Sequence, residues 1–396
     1  MLIGIVAKPN TGKSTFFKAA TLADVAIGNR PFVTIKPNTG VAYVRVRCPE
    51  KDFKVKCNPR FGYCVDGQRF VPINLMDVPG LAVGAHEGRG LGYEFLNDLS
   101  QADALIHVID IAGSTNQDGE PVPVGSYDPL NDIEFLETEI DHWFYGILTK
   151  AWNKFAKKIA VEKKDLEKEI ARQFSGLKIK ESHITKAVSK LNLDKEKPDM
   201  WKEGDLRKFC SELRRASKPM TIAANKIDKG GDENLERLRK KFPGYKIIAC
   251  SADSELAVRE ASKAGLISYI PGNNDFDIKR GASEDQKKAL EFIRERVLKK
   301  YKSTGVQQVL DEAVFSLLGY IAIFPGGVNK LEDKDGNVLP DCFLLPGGST
   351  ALDFAYKIHQ DIGNNFVKAM DARKKIALGK EHKLNNLDVI EIKTSK

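Results

Sequence analysis

Apolar residues along the chain fall into two periods. Runs of strand length at Leu2 to Val6, Val71 to Met76, Thr221 to Ala224 and Ile247 to Cys250 are mostly apolar, as expected of strands buried on both faces of a parallel sheet. Between Ile133 and Leu213 the period becomes helical. Phe135, Ile140, Phe144, Ile147 and Leu148 recur at that spacing, then Trp152, Phe155, Ile159, Leu166 and Ile170. The spacing predicts a long antiparallel helical hairpin between two strands, turning at Ser175-Gly176 or through Asn192 to Pro198. Phe16 to Leu22 reads as a helix after the first strand. Ser283 to Tyr301 reads as the last helix of that domain, and Gly305 to Leu318 as a linking helix.

The remainder reads as a small β domain with one helix. Asp335-Gly336-Asn337 is a hairpin turn signal between Lys330-Leu331 and Leu339 to Leu345. Gly348-Ser349-Thr350 starts a helix whose apolar face runs from Ala351 to Ile362, and Asp388 to Ile392 is a closing strand.

Candidate chemistry sits at the ends of the apolar runs. The first run continues into Ala7-Lys8-Pro9-Asn10-Thr11-Gly12-Lys13-Ser14-Thr15 and then a helix, the context a P-loop requires. Loop and helix N–H groups cradle phosphates there. Lys13 is expected on the β- and γ-phosphates and Ser14 on Mg²⁺. Gly12 lets the backbone approach phosphate oxygens. Ala7 stands where the pattern has its first glycine, tolerable with a negative φ and a methyl facing open space. Asp77-Val78-Pro79-Gly80 follows another run. Its carboxylate suits the Mg²⁺ ion, and the Gly80 N–H suits the γ-phosphate. Thr34, in Pro31 to Asn38, is expected to close over Mg²⁺ and the γ-phosphate; alone, a loop threonine is an ordinary solvated hydroxyl.

The base end is Asn225-Lys226-Ile227-Asp228. The Asp228 carboxylate can accept from N1–H and the 2-amino group of guanine, and adenine offers neither donor. A site built on that carboxylate leaves a charge unpaired with adenine. The Lys226 stem is expected on the base plane, Asn225 between the loops, and the Ala252 N–H of Ser251-Ala252 on guanine O6.

The opening G-x-x-x-K-P-N-x-G-K-S-T, the segment from Asn29 to Gly40 and Asp77-Val78-Pro79-Gly80-Leu81 resemble the Obg-related GTPases. The run Gly84 to Gly92, with its Ala85-His86-Glu87, is similar to the YchF (Obg-like ATPase) subfamily. The resemblance covers nearly the whole chain. Its length and the insertion between Arg45 and Phe70 look most like the archaeal members. It implies a Ras-like P-loop domain interrupted by a helical, coiled-coil-like segment and closed by a β-grasp TGS domain. Many relatives have lost the N-K-x-D motif and prefer ATP, whereas this chain keeps it, so GTP is expected. Those relatives carry a histidine thought to assist hydrolysis. The matching region, about Ala112 to Asp132, contains none.

Leu81 stands where many small GTPases have a water-orienting glutamine. In related GTPases an asparagine at the place of Asn10 ligates a K⁺ ion beside the phosphates, so K⁺-stimulated turnover is expected. His86 is the one histidine placed to approach the γ-phosphate; otherwise it is a solvated loop histidine. Five glycines between Gly80 and Gly92 fit a lid that orders on triphosphate binding, with slow intrinsic turnover.

Formal net charge is +8, and Lys150 to Lys218 holds 20 basic against 11 acidic residues. Those faces are either solvated helix or a surface for phosphate backbones. No apolar run approaches the roughly 20 residues of a membrane span, and no signal segment is visible before the first strand. The six cysteines lack C-x-x-C pairing. Cys48, Cys57 and Cys64 cluster in the insertion, but spacing supplies no fourth metal ligand. Reduced thiols in a cytoplasmic protein are the ordinary reading.

The reading is therefore an α/β P-loop protein with a first G-domain part over 1–135, a helical insertion over 136–216, a second G-domain part over 217–302, and linker plus TGS domain over 303–396. It is expected to be a cytoplasmic, monomeric GTPase using GTP/GDP, Mg²⁺ and K⁺. It would meet ribosomes or ribosomal RNA through the basic insertion and TGS domain, and no membrane. An ATP-preferring hydrolase and a nucleotide-gated protein-binding module with incidental hydrolysis stay open.

Overall fold

The computed structural model describes residues 1–22, 38–78, 98–150 and 152–395. The strands are β1 (Leu2–Val6), β2 (Thr39–Arg47), β3 (Tyr63–Val65), β4 (Gln68–Asp77), β5 (Ala104–Asp110), β6 (Met220–Asn225), β7 (Ile247–Ala249), β8 (Ile267–Ser268), β9 (Asp277–Ile278), β10 (Tyr320–Pro325), β11 (Phe343–Pro346), β12 (Phe366–Asp371), β13 (Ile376–Leu378) and β14 (Val389–Thr394). The principal helices are α1 (Lys13–Thr21), α2 (Glu50–Phe53), α3 (Leu130–Thr149), α4 (Trp152–Glu162), α5 (Leu166–Gln173), α6 (Glu181–Lys190), α7 (Glu203–Ser217), α8 (Asp232–Lys241), α9 (Ala252–Lys263), α10 (Glu284–Ile293), α11 (Val306–Asp311) and α12 (Ala351–Ile358). Two compact units result. The first is Met1–Ala19, Pro37–Gly40 and Leu75–Val309; the second is Ala20–Lys36, Val41–Asn74 and Leu310–Lys396.

In the first unit β1, β5, β6 and β7 pair in parallel. Val6 lies opposite His107, Asp110 opposite Asn225, and Ala224 opposite Ala249. The end of β4 joins the other side of β1, where the Val78 N–H donates to the Ile5 carbonyl at 3.1 Å. Every residue of β5 is buried, which is why these strands read as apolar runs rather than alternating ones. His107 is buried within β5, and burial pushes its pKa down to about 3, so the ring is neutral. A parallel sheet gathers the carboxyl ends of its strands, here Val6, Asp110 and Asn225, along one edge.

The helical insertion differs from the expected long hairpin. It is cut into five helices, α3 to α7. Lys163, Lys178 and Asn192 adopt left-handed φ values of 50°, 57° and 51° and turn the chain back after α4, before α6 and after α6. Asp165 caps α5 by accepting from the Lys168 N–H. The apolar spacing was correct, but it faces a shared core containing Phe144, Trp152, Phe174, Trp201 and Phe209. Trp201 joins this core at its edge, with ring centroids 5.5 Å from Trp152 and 5.4 Å from Phe209.

In the second unit β3 and β4 form a hairpin, Cys64 opposite Arg69. The C-terminal residues form a five-stranded sheet ordered β11-β10-β14-β12-β13. Its core includes Ile323, Leu345, Phe354, Ala369 and Ile390, and α12 is N-capped by a reciprocal Thr350–Asp353 box. The expected hairpin between Lys330-Leu331 and Leu339 to Leu345 forms at its tip, where the Leu339 N–H donates to the Leu331 carbonyl at 2.9 Å, but not along its length. A short turn exists, with Glu332 bridging Val338, but β11 pairs with β10, Tyr320 opposite Pro346. Turn chemistry marks a reversal; burial of Ile323 and Leu345 chooses the partner. Among the described residues, no helix is long and apolar enough to cross a membrane.

Arg214 fixes the insertion to its base. Its guanidinium is 2% exposed and donates to Asp141 at 2.6 Å, Glu137 at 2.7 Å and the Tyr245 hydroxyl at 3.1 Å. Arg214→Ala leaves two carboxylates without their cation. It is expected to lower unfolding stability by about 3 kcal/mol, measured by urea denaturation; a loss below about 1 kcal/mol would show that solvent replaces the guanidinium.

Candidate functional site

The loop between β1 and α1 is shaped by two left-handed residues, Asn10 at φ 60° and Gly12 at φ 94°. A Cβ on Gly12 would lie 2.3 Å from Asn225 Nδ2, so the backbone conformation and the neighbouring amide both require glycine. Ala7 has no positive φ, yet its methyl is buried rather than facing open space. The loop accepts it by packing it into the core. Ser14 is exposed and Thr15 half-buried at the start of α1.

Lys13 and Asp77 meet. The Lys13 ammonium is ion-paired to the Asp77 carboxylate and donates to the Val78 carbonyl at 2.5 Å. The Asp77 N–H donates to the Asn38 carbonyl at 2.8 Å. A cation and a carboxylate thus stand together at the strand edge.

Behind the loop lies a layer of buried charge. Lys8 pairs with Asp132 at 2.8 Å, both 2% exposed, and donates to the Thr115 carbonyl at 3.0 Å. The Lys8 ammonium also lies 3.7 Å from the Tyr127 ring centre. Burial pushes the Asp132 carboxyl up to about 6 and the Lys8 ammonium down, against their mutual attraction. Asp110, fully buried at the end of β5, accepts from the Ser114 hydroxyl at 2.7 Å, the Thr115 hydroxyl at 3.0 Å and the Lys226 ammonium at 3.0 Å. The Asn10 amide donates to the Gly119 carbonyl at 2.9 Å, leaving its Oδ1 as the side-chain atom able to face a cation.

Asn225 joins the two ends of the site. Its Nδ2 donates to the Thr11 carbonyl at 2.8 Å, and its Oδ1 accepts from the Ala252 N–H at 2.9 Å. The Ser251 hydroxyl donates to Asp228 at 2.6 Å, orienting a half-buried carboxylate at the mouth of the strand edge. Two groups expected at the base are bonded within the protein. The Ala252 N–H is engaged by Asn225 and does not stand free for a base oxygen. The Lys226 ammonium is held by the Asn10 carbonyl at 2.8 Å and by Asp110, which fixes where its stem lies. Beneath this loop, buried Glu255 accepts from Arg259 at 2.5 Å, Tyr269 at 2.9 Å and Thr304 at 2.5 Å, and the Ser251 N–H donates to the Thr304 carbonyl.

The structure therefore brings together Asn10, Thr11, Gly12, Lys13 and Asp77 at one end and Asn225, Lys226, Asp228, Ser251 and Ala252 at the other. Thr34, Gly80 and His86, with Leu81, lie outside the described residues. Sequence reasoning missed Lys8, Asp110 and Asp132. A carboxylate closing an apolar strand and followed by Ser114-Thr115 was a visible signal for Asp110; nothing local marks Lys8 and Asp132 as partners.

Three family models match the chain: a 50S ribosome-binding GTPase over residues 2–139, the G4 motif-containing domain of YGR210-like Obg-like GTPases over 223–327, and a TGS domain over 333–394. An uncharacterized GTP-binding protein of Methanocaldococcus jannaschii is 47% identical over 99% of this chain and 98% of its own length. The ribosome-binding ATPase YchF of Escherichia coli O157:H7 is 29% identical over 92% of this chain and 86% of its own. A crystal structure of a GTP-binding protein from Pyrococcus horikoshii OT3 superposes with a TM-score of 0.79 at 41% identity, covering 100% of both chains.

Asn225→Ala removes a donor and an acceptor from buried partners at once. It is expected to lower unfolding stability by about 3 kcal/mol, read by urea denaturation. A loss under about 0.5 kcal/mol would mean that the two loops close without it.

Proposed function

The chain belongs to the YchF-type branch of the Obg-related P-loop GTPases, and on that footing we propose that it binds GTP with Mg²⁺, hydrolyses it slowly to GDP and phosphate, and acts at the ribosome. The observation that carries the base preference is the Asp228 carboxylate, oriented by the Ser251 hydroxyl and joined through Asn225 to the phosphate loop. A carboxylate held in place this way rewards the two donors of guanine and is left unpaired by adenine.

At the phosphate end, backbone N–H groups from Asn10 to Thr15 cradle the phosphates. Lys13 exchanges Asp77 for β- and γ-phosphate oxygens, which releases the carboxylate. Exposed Ser14, the released Asp77 and Thr34 are the oxygen donors that fit Mg²⁺, whose bound form neutralises charge on the phosphates. The Gly80 N–H receives the γ-phosphate. Leu81 cannot orient water by hydrogen bonding, so Asn10 Oδ1 would hold a K⁺ ion that supplies charge beside the leaving group, and His86 would handle the proton.

The ribosome assignment rests on chemistry and on kinship. Lys154, Lys157, Lys158, Lys163 and Lys168 of the insertion are exposed, which suits an RNA phosphate backbone. Relatives spanning most of the chain carry the name ribosome-binding ATPase. That name also marks the rival reading, an ATP-preferring hydrolase.

Competition of GTP and ATP for the purified protein, beside Asp228→Asn, separates the two. A GTP preference of about a hundredfold or more that collapses in the variant is expected. Equal or better ATP binding would remove Asp228 from the base and place the chain with ATP users. Turnover in K⁺ should exceed turnover in Na⁺, and Asn10→Ala should erase the difference. Equal rates in both salts for the unmodified protein would remove the K⁺ role.

A further inference from the structure

Three cysteines and a carboxylate converge in the second unit, outside the nucleotide motifs of the sequence. Cys48 follows β2, Glu50 opens α2, Cys57 lies in the loop after it, and Cys64 sits on β3. Their ligand atoms all lie within 4.8 Å of one another. Cys48 Sγ is 3.6 Å from Cys57 Sγ, and Cys64 Sγ is 3.6 Å from Glu50 Oε1. The other Glu50 oxygen accepts from the Cys57 N–H at 3.0 Å, so the carboxylate is aimed. We propose that Cys48, Glu50, Cys57 and Cys64 form a structural zinc site.

Two of the spacings, Cys48 to Cys57 and Cys64 to Glu50, match the edges of a tetrahedron around one ion. With Zn–S near 2.3 Å and Zn–O near 2.0 Å, the edges between ligand atoms are about 3.8 Å for two sulfurs and about 3.5 Å for sulfur and oxygen. A disulfide needs sulfurs about 2.0 Å apart and would use only two of the three thiols. Three thiols and a carboxylate pressed together, two of the cysteines buried, gain little from one another. A divalent cation turns that cost into coordination. Thiolates select soft or borderline ions, and Zn²⁺ accepts a mixed thiolate and carboxylate set.

Arg69 is an independent indication. It is 0% exposed, stands opposite Cys64 in the hairpin, and donates from Nη2 to the Leu339 and Pro340 carbonyls at 3.0 Å each. Its Nε and Nη1 have no hydrogen-bond partner, and the guanidinium lies 5.9 Å from the Phe324 ring centre. A fully buried cation with two unused donors requires negative charge nearby, and three thiolates with one carboxylate around Zn²⁺ carry a surplus of two. The site would also brace the loop after Cys57, whose Asn58 and Arg60 N–H groups donate to the Val338 and Pro340 carbonyls.

The test uses the full chain, reduced and stripped with a zinc-selective chelator, then titrated with Zn²⁺ against a chromophoric competitor. About one tight Zn²⁺ per chain is expected. Co²⁺ in its place should give thiolate-to-cobalt charge-transfer absorption and the visible bands of a tetrahedral ion. Cys48→Ser and Cys57→Ser should each abolish both signals. Glu50→Gln should weaken Zn²⁺ by at least about tenfold, and Cys342→Ser should change neither signal. A folded chain that takes up no Zn²⁺, or uptake that survives Cys48→Ser with Cys57→Ser, overturns the assignment. Should the variants not fold, the Co²⁺ spectrum of the unmodified chain decides: a thiolate band supports the site and its absence removes it.

Discussion

The candidate site depends on one side chain bonded in two directions. Asn225 gives its amide protons to the Thr11 carbonyl and takes the Ala252 N–H on its oxygen, so two loops from distant parts of the chain share a single rigid link. The amide occupies the space a Cβ on Gly12 would need. The glycine is therefore a requirement of Asn225 as well as of its own left-handed backbone. A buried amide with both ends satisfied resists displacement, because moving either loop would strand a polar group. The phosphate end and the base end consequently keep one geometry.

A second layer of buried charge holds that link in register. Asp110 gathers Ser114, Thr115 and Lys226, while Lys8 pairs with Asp132. Buried ion pairs add little net stability, since desolvation offsets attraction, but each is costly to break on one side. They act as locators. Asp132 opens α3 and Glu137 and Asp141 lie further along it, gripping Arg214 of α7. One helix thus carries the partner of a phosphate-loop lysine at its start and the anchor of the helical insertion in its middle. That continuity ties the loop of Lys8 to the helical insertion through one packed helix.

The second unit is organised differently. Its hairpin and its five-stranded sheet are held by strand pairing and by polar links such as Arg60 to Asp341 and Arg373 to Asp52. A metal among Cys48, Glu50, Cys57 and Cys64 would supply what a short hairpin lacks, a core of its own.

What the sequence by itself determined was local. Strand runs buried on both faces announce themselves as apolar stretches, and phosphate and base motifs occupy fixed places at their ends, because backbone geometry at those points admits few residue types. The helix start at Gly348-Ser349-Thr350 was readable for the same reason. What only the tertiary structure decided was partnership. Helical spacing cannot say which helix a face meets, so five helices around one shared core read as one hairpin. A turn signal at Gly336 cannot say which strand β11 will join. Lys8 and Asp132 stand far apart along the chain, as do Glu50 and Cys64 on a smaller scale, and their side chains meet only after folding. Periodicity and motif chemistry are properties of neighbouring residues, whereas burial and charge pairing are properties of the folded whole.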